Sequence, residues 1–317
     1  MLPQTPYICY GVGLPSKDCD TPVNRFLATF LAAALSLGAV AADRPASKAH
    51  ATKAVNVAEV HGDGGPILKS SGVLVLDPAT GQTLFAKNAE QLTPIASITK
   101  LMTAMVVMDA KLPLDAALQI THEDIDLVKN SRSRLPIGSH FRRDDLLRLA
   151  LMASDNRAAS ALGRNYPGGI LAFVDAMNAR AKLLGLNATH FVDASGLAAG
   201  NVSSPAELGK LVAEASRYEL IKEYSTTGAV NVTLPDSKRR LSFVNTNALV
   251  RASDWQIGLS KTGYISESGK CLVMQAMIAN QPIVIVLLDS WGKLTRVADA
   301  NRIRRWLEKN PGKLTGL

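Results

Sequence analysis

Strand-like sequence stands at both ends of this chain and helical sequence fills the middle, so a single sheet has to be assembled from segments far apart in sequence. Residues 72–85 read as strand, turn, strand, with Asp77-Pro78-Ala79-Thr80-Gly81 as the turn. Strand patterns return at 230–234, 256–261, 270–279 and 282–288. From Ser97 to about Glu219 helical spacing dominates. Residues 168–184 are one expected helix, and 205–216 another, opening after Ser204 with Glu207 in capping-box register. A last helix at 295–309 has Val297, Ile303, Trp306 and Leu307 as its packing face. This order predicts an α+β fold, a mainly antiparallel sheet flanked by helices with a helical subdomain inserted.

Three short motifs punctuate that pattern: Ser97-Ile98-Thr99-Lys100, Ser154-Asp155-Asn156 and Lys261-Thr262-Gly263. In this order they are the motif set of penicillin-interacting acyl-transfer enzymes. Each is weak alone, and Ser290-Trp291-Gly292-Lys293 repeats the first spacing with nothing downstream to complete a site. Ser97 precedes a run of apolar residues at helical spacing, which places it near a helix N-terminus, where free N–H groups favour a developing oxyanion. Lys100 lies one turn on, on the same face. A serine hydroxyl needs an adjacent base, and lysine serves only if burial or a neighbouring cation, such as Lys261, lowers its pKa. Taken alone, Ser97 and Lys100 also fit a helix cap and a solvated lysine.

Residues 146–153 read as a buried helix and Arg157 begins another, so the Ser154–Asn156 motif falls at a helix junction. Capping explains an isolated motif there. In a catalytic site, Ser154 relays a proton between Lys100 and the leaving amine, Asn156 donates to a substrate amide carbonyl, and Asp155 braces the loop. Lys261 and Thr262, in a strand-like stretch, are placed to hold a carboxylate. Gly263 lets the chain pass close to a ligand, and the backbone N–H groups of Ser97 and Tyr264 form the oxyanion hole.

Residues 94–105, 130–136, 224–227, 245–250 and 255–263 resemble segments of low-molecular-weight penicillin-binding proteins, most closely the D-alanyl-D-alanine endopeptidase type. The likeness runs from Gly72 to Trp306. It implies a β-lactamase/transpeptidase-like fold without a cofactor, Ser97 as nucleophile and Lys100 as base. Ser154 and Asn156 are then relay and substrate donor, and Lys261 and Thr262 the carboxylate holders. Peptidoglycan peptides become the expected substrates and β-lactams covalent inhibitors. A DD-carboxypeptidase removing terminal D-alanine is the alternative, and a non-catalytic cell-wall-binding protein a more distant one. A β-lactamase fits less well, because residues 191–196 hold no glutamate to activate a deacylating water.

Residues 26–40 are uncharged and largely apolar, follow Arg25, and precede an Ala39-Val40-Ala41 cleavage site, so 1–42 is expected to be a signal peptide region. Residues 1–22 have no leader character, which suggests translation from Val23. Residues 43–66 read as a flexible linker and 67–311 as the peptidase domain. The expected location is the periplasm, with at most peripheral membrane association. Cys9 and Cys19 precede the cleavage site, leaving Cys271, which reads as a buried strand residue. The net charge of +8 favours anionic partners, while 5% aromatic content and the lack of a nucleic-acid motif argue against nucleic acid. No metal is expected, since His122-Glu123 lacks the second histidine of a zinc motif and His190 stands alone.

Overall fold

A computed structural model of the chain describes residues 64–234 and 238–315. The expected signal region, the translation start and most of the linker fall outside the described residues. In chain order the elements are β1 (Gly72–Leu76), β2 (Thr83–Lys87), β3 (Thr93–Pro94), α1 (Lys100–Asp109), β4 (Ala117–Gln119), β5 (His140–Arg142), α2 (Arg143–Met152), α3 (Asn156–Arg164) and α4 (Gly169–Leu183). Then follow β6 (Val202–Ser203), α5 (Pro205–Ala215), α6 (Glu219–Thr226), β7 (Ala229–Thr233), β8 (Arg240–Val244), β9 (Ile257–Ile265), β10 (Gly269–Ile278), β11 (Gln281–Ser290), α7 (Thr295–Lys309) and α8 (Gly312–Thr315).

The main sheet has the order β2-β1-β11-β10-β9, every pair antiparallel. Its first two strands come from one end of the chain and the other three from the far end, as the strand patterns predict. Both faces are buried, and the period of two sorts the side chains between them. Cys271, Val273, Val284, Val286 and Leu288 face the helical subdomain, whereas Leu272, Met274, Ile283, Ile285 and Leu287 pack under α7 with Ile303, Trp306 and Leu307. That double burial explains why β10 and β11 read as continuous apolar runs rather than alternating ones. Cys271 is fully buried, and burial pushes its thiol up to about 11.

Two local features place the site. Helix α1 is buried almost all round, through Leu101, Met102, Ala104, Met105, Val106 and Val107, and packs against α3, α4 and α5. A helix apolar on every side belongs in a core, so a polar group at its start has little access to water. At the sheet edge, β9 has no strand partner beyond β10 among the described residues, and its other side abuts the 3-10 turn Ala96–Thr99 that leads into α1. An edge strand offers unpaired backbone groups to an extended peptide.

Helix α5 starts as expected, with the Ser204 hydroxyl accepting from the Glu207 N–H at 3.3 Å. Only half the capping box forms, because the Glu207 carboxylate accepts instead from the Ala188 N–H and the Thr189 hydroxyl.

Candidate active site

All three motifs converge where β9 meets the start of α1. The Lys100 Nζ lies 2.8 Å from Ser97 Oγ, donates to Asn156 Oδ1 at 2.7 Å and to the Ser195 carbonyl at 2.6 Å. Lys100 is wholly buried. Burial lowers its pKa to about 7, against the pull of Asp193, Asp155 and Asp126. A lysine tuned to neutrality can take a proton from a serine hydroxyl. Burial, rather than a neighbouring cation, is what brings this lysine down.

The second lysine closes the site from the sheet side. Lys261 Nζ donates to Ser154 Oγ at 2.8 Å and to the Thr262 carbonyl at 2.9 Å. Burial, then repulsion from Lys100 and Arg296, drives its pKa well down. The Thr262 hydroxyl donates to Thr246 Oγ1 at 2.7 Å. Ser154 thus hydrogen-bonds Lys261, where the sequence reading had linked it to Lys100. Asn156 touches Lys100 through its carbonyl, and its amide donates to Ser131 Oγ at 2.7 Å.

The junction between α2 and α3 is capped by Asp155, which accepts from the Ala158 N–H and from the Ser133 hydroxyl. Its neighbours Ser154 and Asn156 are thereby left to face the lysines. Ser154 adopts φ +58° and Ala96, before the nucleophile candidate, φ +49°. Left-handed backbone at non-glycine residues costs energy and recurs at functional sites.

Gly263 is required by a close backbone approach. A Cβ there would stand 2.8 Å from the Ile95 carbonyl oxygen and 3.2 Å from Ser97 N. The glycine therefore lets β9 lie against the backbone of Ile95 and Ser97. The Gly263 carbonyl accepts from Arg296 at 3.3 Å, and the N–H of the same trans peptide, that of Tyr264, points the opposite way. Ser97 N and Tyr264 N are the two donors expected to meet an oxyanion.

With the geometry in place, the comparisons are specific. The D-alanyl-D-alanine carboxypeptidase family, peptidase family S11, matches residues 59–292. The chain belongs to this family. It is a serine peptidase with the DD-peptidase fold. It is 47% identical to a D-alanyl-D-alanine endopeptidase of Pseudomonas aeruginosa over 241 residues, 76% of this chain and 78% of that protein. An Escherichia coli K12 protein of the same name is 44% identical, covering 77% of this chain and 78% of its own length. Among solved structures, the Streptomyces K15 DD-transpeptidase aligns with a TM-score of 0.71 at 28% identity, covering 76% of this chain and 97% of that one.

Several groups at the site carry no signal of their own in a sequence. The Ser195 carbonyl acts through its backbone, held by a turn in which Asp193 accepts from the N–H groups of Ser195, Gly196 and Ala198. Gly196, at φ +81°, presses against Ala96, whose carbonyl oxygen lies 1.9 Å from where a Cβ would sit. Ser131 and Thr246 fall in segments that resemble the family without belonging to the three motifs. The serine of the stray motif, Ser290, is buried against Ser70 Oγ at 2.7 Å.

Proposed function

We propose that this protein is a serine DD-endopeptidase that hydrolyses the D-alanyl–diaminopimelyl cross-links of peptidoglycan through an acyl-enzyme on Ser97. The observation that carries the reading is the 2.8 Å contact between Ser97 Oγ and a fully buried Lys100 whose pKa is near 7. In the neutral form Lys100 takes the Ser97 proton as Ser97 Oγ attacks the D-alanyl carbonyl. The N–H groups of Ser97 and Tyr264 receive the oxyanion. Lys261 and Thr262 hold the carboxylate of the leaving D-centre, and the proton taken up by Lys100 is relayed through the Ser154 hydroxyl, which Lys261 orients, to the departing amine, returning Lys100 to its neutral form. Asn156 spends its carbonyl on Lys100 and keeps amide hydrogens for Ser131 and a substrate carbonyl. Water then resolves the ester.

The endopeptidase assignment is supported by the two relatives above 40% identity that carry that name. The family description and the Streptomyces K15 relative, a D-alanyl-D-alanine carboxypeptidase 31% identical to this chain, keep carboxypeptidase activity as the second reading. The three carboxylates that act on Lys100 are committed elsewhere: Asp193 and Asp126 to backbone N–H groups, and Asp155 to the α3 cap and Ser133. That supports a long-lived penicilloyl ester rather than β-lactamase turnover. Export to the periplasm rests on the leader-like residues 26–42.

The test compares kcat/KM for a cross-linked muropeptide dimer and a pentapeptide with one enzyme preparation. Faster dimer cleavage is expected. Pentapeptide as the better substrate transfers the assignment to carboxypeptidase.

A further inference from the structure

Two side-chain contacts run from the segment 126–154 to the β9–β10 hairpin. The inner one is Lys261 to Ser154. The outer one is an ion pair between Lys129 Nζ and the Glu267 carboxylate, which also accepts from the Ser266 hydroxyl at 2.8 Å. Lys129 lies two residues before Ser131, whose hydroxyl meets Asn156, so it belongs to the rim of the site. Its loop is fixed from below by Asp126, which accepts from the N–H groups of Val128, Lys129 and Ser131 at 2.8–2.9 Å. Glu267 lies three residues past Tyr264, in the tight turn between β9 and β10 that the Ser268 hydroxyl braces against the Ile265 N–H.

The position along β9 defines what this pair faces. Lys261 and Thr262 mark the leaving-group end of the cleft and Ser97 its centre. Glu267 is at the opposite end, alongside the acyl donor. An extended peptide advances about 3.3 Å per residue, so the residue preceding D-alanine runs beside Tyr264 and the turn. In a diaminopimelyl peptide that residue ends in a D-centre carrying one ammonium and one carboxylate. Glu267 and Lys129 offer the complementary charges, at a spacing where each already satisfies the other. An exposed ion pair is weakly held and separates readily. The side chains are 28% and 42% exposed. While the pair is closed, the hydrogen bonds from Lys129 and then Ser266 hold the Glu267 carboxyl down at about 2.

We propose that Lys129 and Glu267 form a specificity pair that opens to bind the zwitterionic end of the diamino acid preceding D-alanine, Glu267 taking the ammonium and Lys129 the carboxylate. The inference rests on the D-alanyl peptidase reading of the cleft. It gives the enzyme a way to recognise the donor stem by charge.

The experiment uses two donor peptides ending in D-alanyl-D-alanine. One has a free diaminopimelyl D-centre; the other has the same centre N-acetylated and amidated. The full-length mature enzyme should favour the free peptide in kcat/KM by about tenfold, the scale of a charge-assisted hydrogen bond. Glu267→Gln and Lys129→Gln should each collapse that ratio toward one, and the doubly reversed Lys129→Glu/Glu267→Lys protein should recover part of it. Variant folding is checked by Tm, and a variant that fails to fold is replaced by its Ala counterpart. A ratio preserved in every variant, or absent from the unaltered enzyme, overturns the pair's role while leaving the peptidase reading intact. An unaltered enzyme that cleaves neither peptide and takes no penicillin on Ser97 overturns the functional reading itself, and this inference with it.

Discussion

Ser97 and Lys100 stand where a 3-10 turn runs into α1, and the three-residue step brings Nζ to 2.8 Å from Oγ in a fully buried setting. Ser290 and Lys293 have the same step in sequence. Ser290, however, is the last residue of β11, and Gly292 turns the chain at φ +81° before an exposed Lys293. The Ser290 hydroxyl is spent on Ser70, which in turn donates to Asp299 at 2.7 Å. A helical step puts two side chains on one face; a strand followed by a turn does not. Burial then supplies what spacing cannot, a lysine whose charged form is penalised. On the proposed mechanism, the chemistry resides in the combination of helical geometry and a water-poor core.

The largest effect that tests this contrast is on covalent labelling. Ser97→Ala should abolish the penicillin adduct, a loss on the scale of about 10⁶-fold for a removed nucleophile, whereas Ser290→Ala should label as the unaltered protein does. Intact-mass measurement decides it, and an adduct surviving Ser97→Ala sinks the assignment. Next in size, Lys100→Ala should slow acylation by about 10³-fold, the range of a lost general base, while Lys293→Ala should not slow it. Stopped-flow acylation kinetics on both variants give the answer.

Lys261→Ala sharpens the comparison between the two buried lysines. Acylation should fall about 10²-fold through loss of the group facing the substrate carboxylate. Because burial sets the Lys100 pKa, the rising pH limb should stay near pH 7 while the rate falls. Acylation at the unaltered rate removes Lys261 from the site. The smallest expected effect is structural. Ser290→Ala leaves one buried hydroxyl contact unmade and should cost about 1 kcal/mol, read as a Tm lower by about 2–4 °C.

The frame of the molecule was legible because its causes are periodic. The strand-turn-strand pattern of 72–85 and the strand-length apolar runs at 270–279 and 282–288 announced strands, and the apolar face of 295–309 announced α7, whose bounds match the expected helix. β8 was not anticipated. Its buried Leu241 and Phe243 alternate with exposed residues, but the strand opens at Arg240 behind Lys238-Arg239, a run that reads as a solvated face. At the site, side-chain identities carried the three motifs, while roles played by backbone stayed hidden. The Ser195 carbonyl on Lys100 is one such role. The choice of Asp155, rather than Ser154 or Asn156, as the α3 cap is another, because all three residue types cap helices equally well. Which lysine Ser154 would bond was likewise a matter of how β9 lies against α2 and α3, a packing relation between segments more than a hundred residues apart.

The central claim is that burial turns Lys100 into the base for Ser97, and the pH dependence of acylation tests it most directly. The base is the unprotonated lysine, so acylation should rise with pH as Lys100 loses its proton. With the pKa lowered from the ordinary lysine value to about 7, the limb should have its midpoint near pH 7. The measurement is the second-order rate constant for penicillin acylation of the unaltered enzyme from pH 5.5 to 9.5, alongside Lys100→Ala. A limb near pH 7 that disappears in Lys100→Ala is the predicted result. A rate that is flat across the range, or still climbing at pH 9.5 as an ordinary lysine would require, contradicts the account.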